Sequence, residues 1–346
     1  MVHCQTQFIG FHDAIKLSDE NETLQSKRKI ILDRLKDKMP SSAYSFEAFN
    51  QGSYAMKTGI KPLDGNSYDI DLGLYFDMSK DDVATPVTAK KWVYDALEGH
   101  TNDVKMKHPC VTVKYQAGYH VDVTIYAASN EDEKIYLAKG KLTTKEENQS
   151  WNESNPKDLI EEIRCHFTEA EDRKQFRRVI RYLKRWKDEQ FSESANGRPT
   201  GIALTAAAYH WLDVKTEVVD SFSGKTEYRD LDALIYLVKQ IIAQFTDEYV
   251  MEDGNFVAYP RINIYLPVEP KPDLCERMTL KQMKIWKEKL EKLLLVLEEA
   301  RECVEPSEAA EILKGQFGTD FPVPVKKDTG KRALTPALIP SSESAL

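Results

Sequence analysis

A chain of 346 residues, 41% apolar and 30% charged, has the profile of a soluble globular protein large enough for two lobes. Its apolar runs, such as "LLLVL" at 293–297, fall far short of the about 20 residues that span a bilayer, and no basic segment leads into an apolar core at the N-terminus. Membrane and secreted classes are thereby disfavoured, and a net charge of −8 argues against a surface built to grip long nucleic acid.

In chain order, residues 22–38 carry Leu24, Ile31 and Leu35 at helical spacing and predict an amphipathic helix. A short strand is expected over 43–49, followed by the turn-forming "QGSYAMK". Residues 67–77, "SYDIDLGLYFD", alternate with period two. Ile70, Leu72, Leu74 and Phe76 share one face, with Asp69, Asp71, Gly73 and Tyr75 on the other. A helix near 88–98 precedes "PCVTVKYQAGYHVDVTIYA" (109–127), which reads as two strands joined by a glycine turn. In the second strand Val121, Val123 and Ile125 face one way, Asp122 and Thr124 the other.

The pattern changes after about residue 155. Residues 157–190 predict one long helix or a broken pair, with Phe176, Val179, Ile180, Leu183 and Trp186 as an apolar stripe. Further helices are expected over 200–212, 229–245 and 279–303, with a proline-punctuated loop or short strand at 259–273. The resulting partition is an α/β lobe over 1–155, a helical lobe over 156–325, and a mobile tail over 326–346. Disorder alone accounts for that tail, and the alternative is a docking handle for an accessory regulator. Five scattered cysteines, none paired as CxxC, predict reduced thiols and no zinc site.

Asp69 and Asp71 are the anomaly. Residues i and i+2 of a strand point the same way, and two carboxylates about 4 Å apart repel by about 4 kcal/mol at an effective dielectric of about 20. Proton sharing, a basic partner or a bound cation would relieve this, and an oxygen-only array suits Mg²⁺ or Mn²⁺. Asp122 would complete a three-carboxylate set able to bridge two cations in phosphoryl transfer. The competing reading is the solvated face of an edge hairpin, and Asp77, Asp81 and Asp82 are read as surface residues. Gly52-Ser53 ahead of the strand adds a turn whose backbone amides and hydroxyl can cradle a phosphate.

Taken together, "QGSY", "YDIDLGLY" and "HVDVTIY" resemble the nucleotidyltransferase superfamily that includes DNA polymerase β. They are most similar to the bacterial cGAS/DncV-like nucleotidyltransferases (CD-NTases), relatives of cGAS and oligoadenylate synthetase. "FRRVIRYLKRWKD" and "RPTGIALTAAAYHWL" extend the resemblance into the helical lobe, which then spans about residues 40–325. The resemblance implies an α+β fold: a mixed sheet flanked by helices, then a helical lobe, with the active site between them. It implies that Asp69, Asp71 and Asp122 bind two Mg²⁺ ions (Mn²⁺ as alternative), and that Gln51, Gly52 and Ser53 bind the nucleotide phosphates with Lys184 and Thr200. At Gly201 the family often has a tyrosine that stacks on the base, and this chain departs from it.

The implied activity joins nucleoside triphosphates, ATP foremost and GTP or others as alternatives, into a cyclic di- or trinucleotide with release of pyrophosphate. The implied setting is a cytoplasmic monomer in anti-phage signalling, its product sensed by a separate effector, with no nucleic-acid activator. The alternatives are a template-independent linear synthase, a nucleotidyltransferase acting on tRNA, a small molecule or a protein, and a non-catalytic binding module.

Overall fold

The computed structural model describes residues 3–17, 22–63, 68–116, 118–192 and 197–325. The expected tail, 326–346, lies outside these. Helix α1 (Gln5–Ile15) is followed by α2 (Glu22–Lys38), β1 (Phe46–Asn50), the single turn α3 (Gly52–Ala55) and β2 (Tyr68–Phe76). Helix α4 (Pro86–Leu97), capped by Thr85 with Pro86 in its first turn, leads into β3 (Asp103–Met106), β4 (Val111–Tyr115) and β5 (Tyr119–Ala127). Strands β6 (Tyr136–Lys139) and β7 (Ser150–Glu153) complete a sheet ordered β1-β2-β5-β4-β3, with β6 and β7 extending from β5.

Only the central pair is parallel within that order. Strands β2 and β5 run side by side with Asp71 opposite Asp122 and Asp69 opposite His120. Period-two alternation then sorts every side chain. Ile70, Leu72, Leu74 and Phe76 join Val121, Val123 and Ile125 beneath α2 and α4, in a core that includes Ile31, Leu35 and Val93. Asp69, Asp71, His120, Asp122, Thr124 and Tyr126 occupy the opposite face.

Beyond Glu153 come α5 (Pro156–Cys165), α6 (Ala170–Gln190) and α7 (Gly201–Trp211). The segment 157–190 is thus a broken pair, with Arg173 donating to the carbonyls of Phe167 and Thr168 at the break. The hairpin β8 (Thr216–Asp220) and β9 (Lys225–Tyr228), helix α8 (Asp230–Ala243), the hairpin β10 (Thr246–Glu252) and β11 (Asn255–Arg261), α9 (Leu280–Glu302) and α10 (Pro306–Phe317) follow. Neither hairpin was expected as such: β11 overlaps the loop or short strand expected at 259–273 by three residues, and β8–β9 falls where no element was expected. The β10–β11 turn is a sequence signal for a hairpin, Asp253-Gly254 with both φ values positive.

The helical core contains the whole expected stripe of α6, each member fully buried, and the small residues of α7 that allow close approach. Helix α1 also packs there. Phe8 and Phe11 lie against Tyr182 with ring centroids 5.0 and 5.5 Å apart. Beneath them an ion pair is sealed from water: Arg178 Nε and Nη2 donate to Asp230 at 2.6 and 2.8 Å, and the Tyr182 hydroxyl donates to it at 2.9 Å. Among the described residues no helix is long and apolar enough to cross a membrane, and the five cysteines are free thiols.

Candidate active site

A cleft of about 440 Å³ opens between the two lobes. Gln51, Gly52, Ser53, Asp69 and Asp71 line it from the sheet side, and Lys184, Gly201 and Ile202 from the helical side. Six of the eight sequence-predicted residues line this one cavity; Thr200 stands just outside it, next to Gly201, and Asp122 pairs with Asp71 from the next strand.

Gly52 opens α3 at φ +66°, a left-handed conformation that favours glycine. A Cβ on Gly52 would overlap the Asp71 carboxylate, so the turn and the acid lie against each other only because position 52 has no side chain. Gln51 donates to Thr124 Oγ1 at 2.7 Å and accepts from the Tyr126 hydroxyl at 2.9 Å. Its backbone amide donates to the Asp71 carbonyl at 3.1 Å. Gln51 thus braces the turn onto β2 and β5 as well as lining the cleft.

The three carboxylates meet their mutual repulsion in three different ways. Asp69 pairs with His120 Nε2, whose imidazole is held above its usual pKa first by that hydrogen bond. Asp122 accepts from the Thr112 hydroxyl and lies 3.6 Å from Lys107 Nζ. Asp71 has neither: no described residue donates a hydrogen bond to its carboxylate. It faces the cleft but is otherwise enclosed. Burial, then the charges of Asp69 and Asp122, push its pKa up to about 7. With Asp69 turned to His120 and Asp122 to Thr112, no three His, Cys, Asp or Glu side chains converge on one point among the described residues. The expected three-carboxylate cage is not closed in this arrangement.

The donor chemistry nevertheless fits a hard divalent cation. The acids on β2 and β5 offer oxygen alone, and at Asp71 the charges of Lys184 and His120 offset only part of what burial, Asp69 and Asp122 impose on the ionised form.

Lys184 is not one more solvated charge on α6. It is buried, and Nζ donates to both the carbonyl and Oγ1 of Thr58 at 3.0 Å. Burial, then Lys187 and Arg181, lower its pKa to about 7. Thr200 caps α7 by accepting from Ala203 N at 3.2 Å and is itself exposed. The next residues, Gly201 and Ile202, reach the cleft wall. A Cβ on Gly201 would lie 3.5 Å from Lys184 Cε, ordinary contact. In place of an aromatic stack, the far wall is aliphatic and proline-rich, with Leu159, Ile160, Ile202, Leu266, Val268 and Pro270.

Sequence reasoning passed over four residues here. His120 and Tyr126 were legible, because period two puts them on the face of Asp122 and Thr124. Thr58 and Thr112 carried no local signal. Their roles arise from contacts across 126 and 10 residues of chain.

Residues 46–126 match the family model described as "Cyclic GMP-AMP synthase DncV-like, nucleotidyltransferase domain". A cyclic GMP-AMP synthase of Escherichia albertii is 26% identical over 224 residues, covering 61% of this chain and 45% of that protein, so the match spans under half of the relative's length. Among solved structures, the Vibrio cholerae DncV cyclic AMP-GMP synthase superposes with a TM-score of 0.65 at 20% identity, covering 92% of this chain and 96% of that one. The Bradyrhizobium diazoefficiens CD-NTase CdnG, solved with GTP, gives 0.64 at 16% identity over 91% and 95%. These structural likenesses concern the fold. The domain match gives residues 46–126 a DncV-like nucleotidyltransferase domain, and the rest of the chain shares the fold of the DncV and CdnG structures.

Proposed function

We infer that the chain is a Mg²⁺-dependent nucleotidyltransferase that joins nucleoside triphosphates into a cyclic di- or trinucleotide with release of pyrophosphate. The observation that carries this is the convergence of Asp71, the Gly52-Ser53 turn and Lys184 on one cleft. Acid, phosphate-cradling turn and cation are the three parts that transfer to a nucleotide α-phosphate requires.

In this reading Ser53 and the amides opening α3, which lack intrahelical acceptors, hold the triphosphate of the donor. Lys184 approaches it from the helical lobe, and Thr200 stands at the start of the helix whose next two residues line the cleft. The aliphatic wall around Ile202 and Pro270 takes the base by apolar contact instead of aromatic stacking. Asp122 receives the proton of the attacking 3′-hydroxyl, and Asp69 and Asp71 fix the reacting end. Magnesium, held by Asp69, Asp71 and Asp122, would neutralise developing charge on the phosphate oxygens when bound, with manganese as a substitute.

ATP and GTP are the first substrates to test. Among solved relatives, CdnG was captured with GTP and a Vibrio cholerae DncV variant with ATP and GTP. Anti-phage signalling through a separate effector, in the cytoplasm and without a nucleic-acid activator, is the setting that the family resemblance supports. The second reading, a linear synthase or transfer to another acceptor, uses the same cleft. Asp69→Asn combined with Asp71→Asn tests the core of the proposal. Pyrophosphate release from NTPs is expected to vanish with the circular dichroism spectrum intact, and unchanged turnover would remove the site.

A further inference from the structure

The segment that follows the phosphate turn is held on one side by residues 14–17 at the end of α1, through Leu17 N to Gly59 O and Lys61 N to Ile15 O, and on the other by helix α6. Arg181 of α6 donates to the carbonyls of Lys57 and Gly59 at 2.6 and 3.0 Å, and Arg185 to that of Lys61 at 3.0 Å. Lys184, between them on the same helical face, donates to the carbonyl of Thr58 and also to its side chain. Thr58 is fully buried and has a second tie. Its amide donates to the carbonyl of Ser53 at 2.9 Å. One residue thus touches both the turn that presents Ser53 and the ammonium of Lys184.

We propose that Thr58 is a positioning residue that fixes Lys184 relative to the Gly52-Ser53 turn, so that both grip the same triphosphate. This rests on the reading of the cleft as a nucleotide triphosphate site. A lysine ammonium has three N–H donors in a tetrahedral array. Two go to Thr58, which removes the rotational freedom of Nζ and leaves the third for the cavity that Lys184 lines. A flexible four-carbon side chain is otherwise a poor ruler, and an ångström of misplacement at a phosphate forfeits most of a charge-assisted hydrogen bond. The Thr58 hydroxyl supplies the missing constraint. Its carbonyl alone would leave the ammonium free to swing.

The test is a double-mutant cycle read by calorimetric titration of the full chain with inorganic tripolyphosphate and with ATP plus Mg²⁺. Thr58→Val keeps the shape and removes the hydroxyl. It is expected to weaken both ligands about tenfold, the loss typical of one hydrogen bond to a charged group. Thr58→Ser should recover most of that loss, and Thr58→Val with Lys184→Ala should bind no worse than Lys184→Ala alone, since each change removes the same grip. Thr58→Ala provides the same comparison if the valine variant does not fold. An unaffected Thr58→Val, or losses that add in the double variant, would overturn the positioning role and leave the phosphate reading intact. Unchanged binding in Lys184→Ala would overturn both.

Discussion

Gly52 lies against the carboxylate of Asp71 with no room for a β-carbon between them. The turn that presents Ser53 and the strand that presents the acid are therefore packed backbone to side chain. Gly52→Ala is expected to displace the acid or the turn and to lower turnover by at least about a hundredfold, the usual cost of misplacing a reacting group by an ångström. The melting temperature should fall only modestly, because the strain is local. Turnover within a few-fold of wild type would show that the close approach is irrelevant.

Asp71 and Lys184 titrate near neutrality with opposite consequences. Asp71, raised to about 7 by burial and its neighbours' charge, carries a proton below that pH, and a cation must displace it. Lys184, lowered to about 7 by burial, gains its charge below that pH. Mn²⁺ affinity, followed by electron paramagnetic resonance, should fall about tenfold per pH unit below 7. Affinity for metal-free tripolyphosphate should instead rise as pH drops from 8 to 6. Two flat profiles would contradict the placement of both groups.

The same shift of Asp71 bears on stability. A carboxyl raised above its unfolded value binds a proton more tightly when folded, so the metal-free protein loses stability as pH rises from about 4 to about 7. Asp71→Asn removes this term. Its melting temperature should exceed that of wild type by several degrees at pH 8 without metal, and the gap should shrink steadily as pH falls from 7 toward 4. A variant less stable than wild type at pH 8 would show that the carboxylate has a partner in the fold.

Far from the cleft, Asp230 is fully buried and holds Arg178 and Tyr182. Asp230→Ala strands a buried guanidinium, and a loss of about 3–5 kcal/mol in urea unfolding is expected. A loss below about 1 kcal/mol would mean that water reaches Arg178 in the variant.

What the sequence made legible was local. Period two over 67–77 and 119–127 sorted acids from core before any pairing was known, and the parallel β2–β5 ladder then set Asp71 opposite Asp122. Gly52-Ser53 was readable because turn chemistry resides in the residues themselves. The state of the acids was not readable. Which one takes His120, which takes Thr112 and which retains a proton depends on contacts between strands. Helix α1 was missed although Phe8, Phe11 and Ile15 follow helical spacing, because its partner Tyr182 lies 174 residues beyond Phe8. Lys184 could equally have been a solvated charge until α6 was seen to bury its basic face on residues 57–61.

The central claim is a reaction: two or three nucleotides joined and closed into a ring. The most direct measurement incubates the purified chain with all four NTPs and Mg²⁺, treats the mixture with phosphatase, and analyses it by chromatography with mass spectrometry. A phosphatase-resistant species with the mass of a cyclic di- or trinucleotide is expected, absent from the Asp69→Asn, Asp71→Asn double variant. Products with ends that phosphatase removes, or label carried on a protein band, would contradict it.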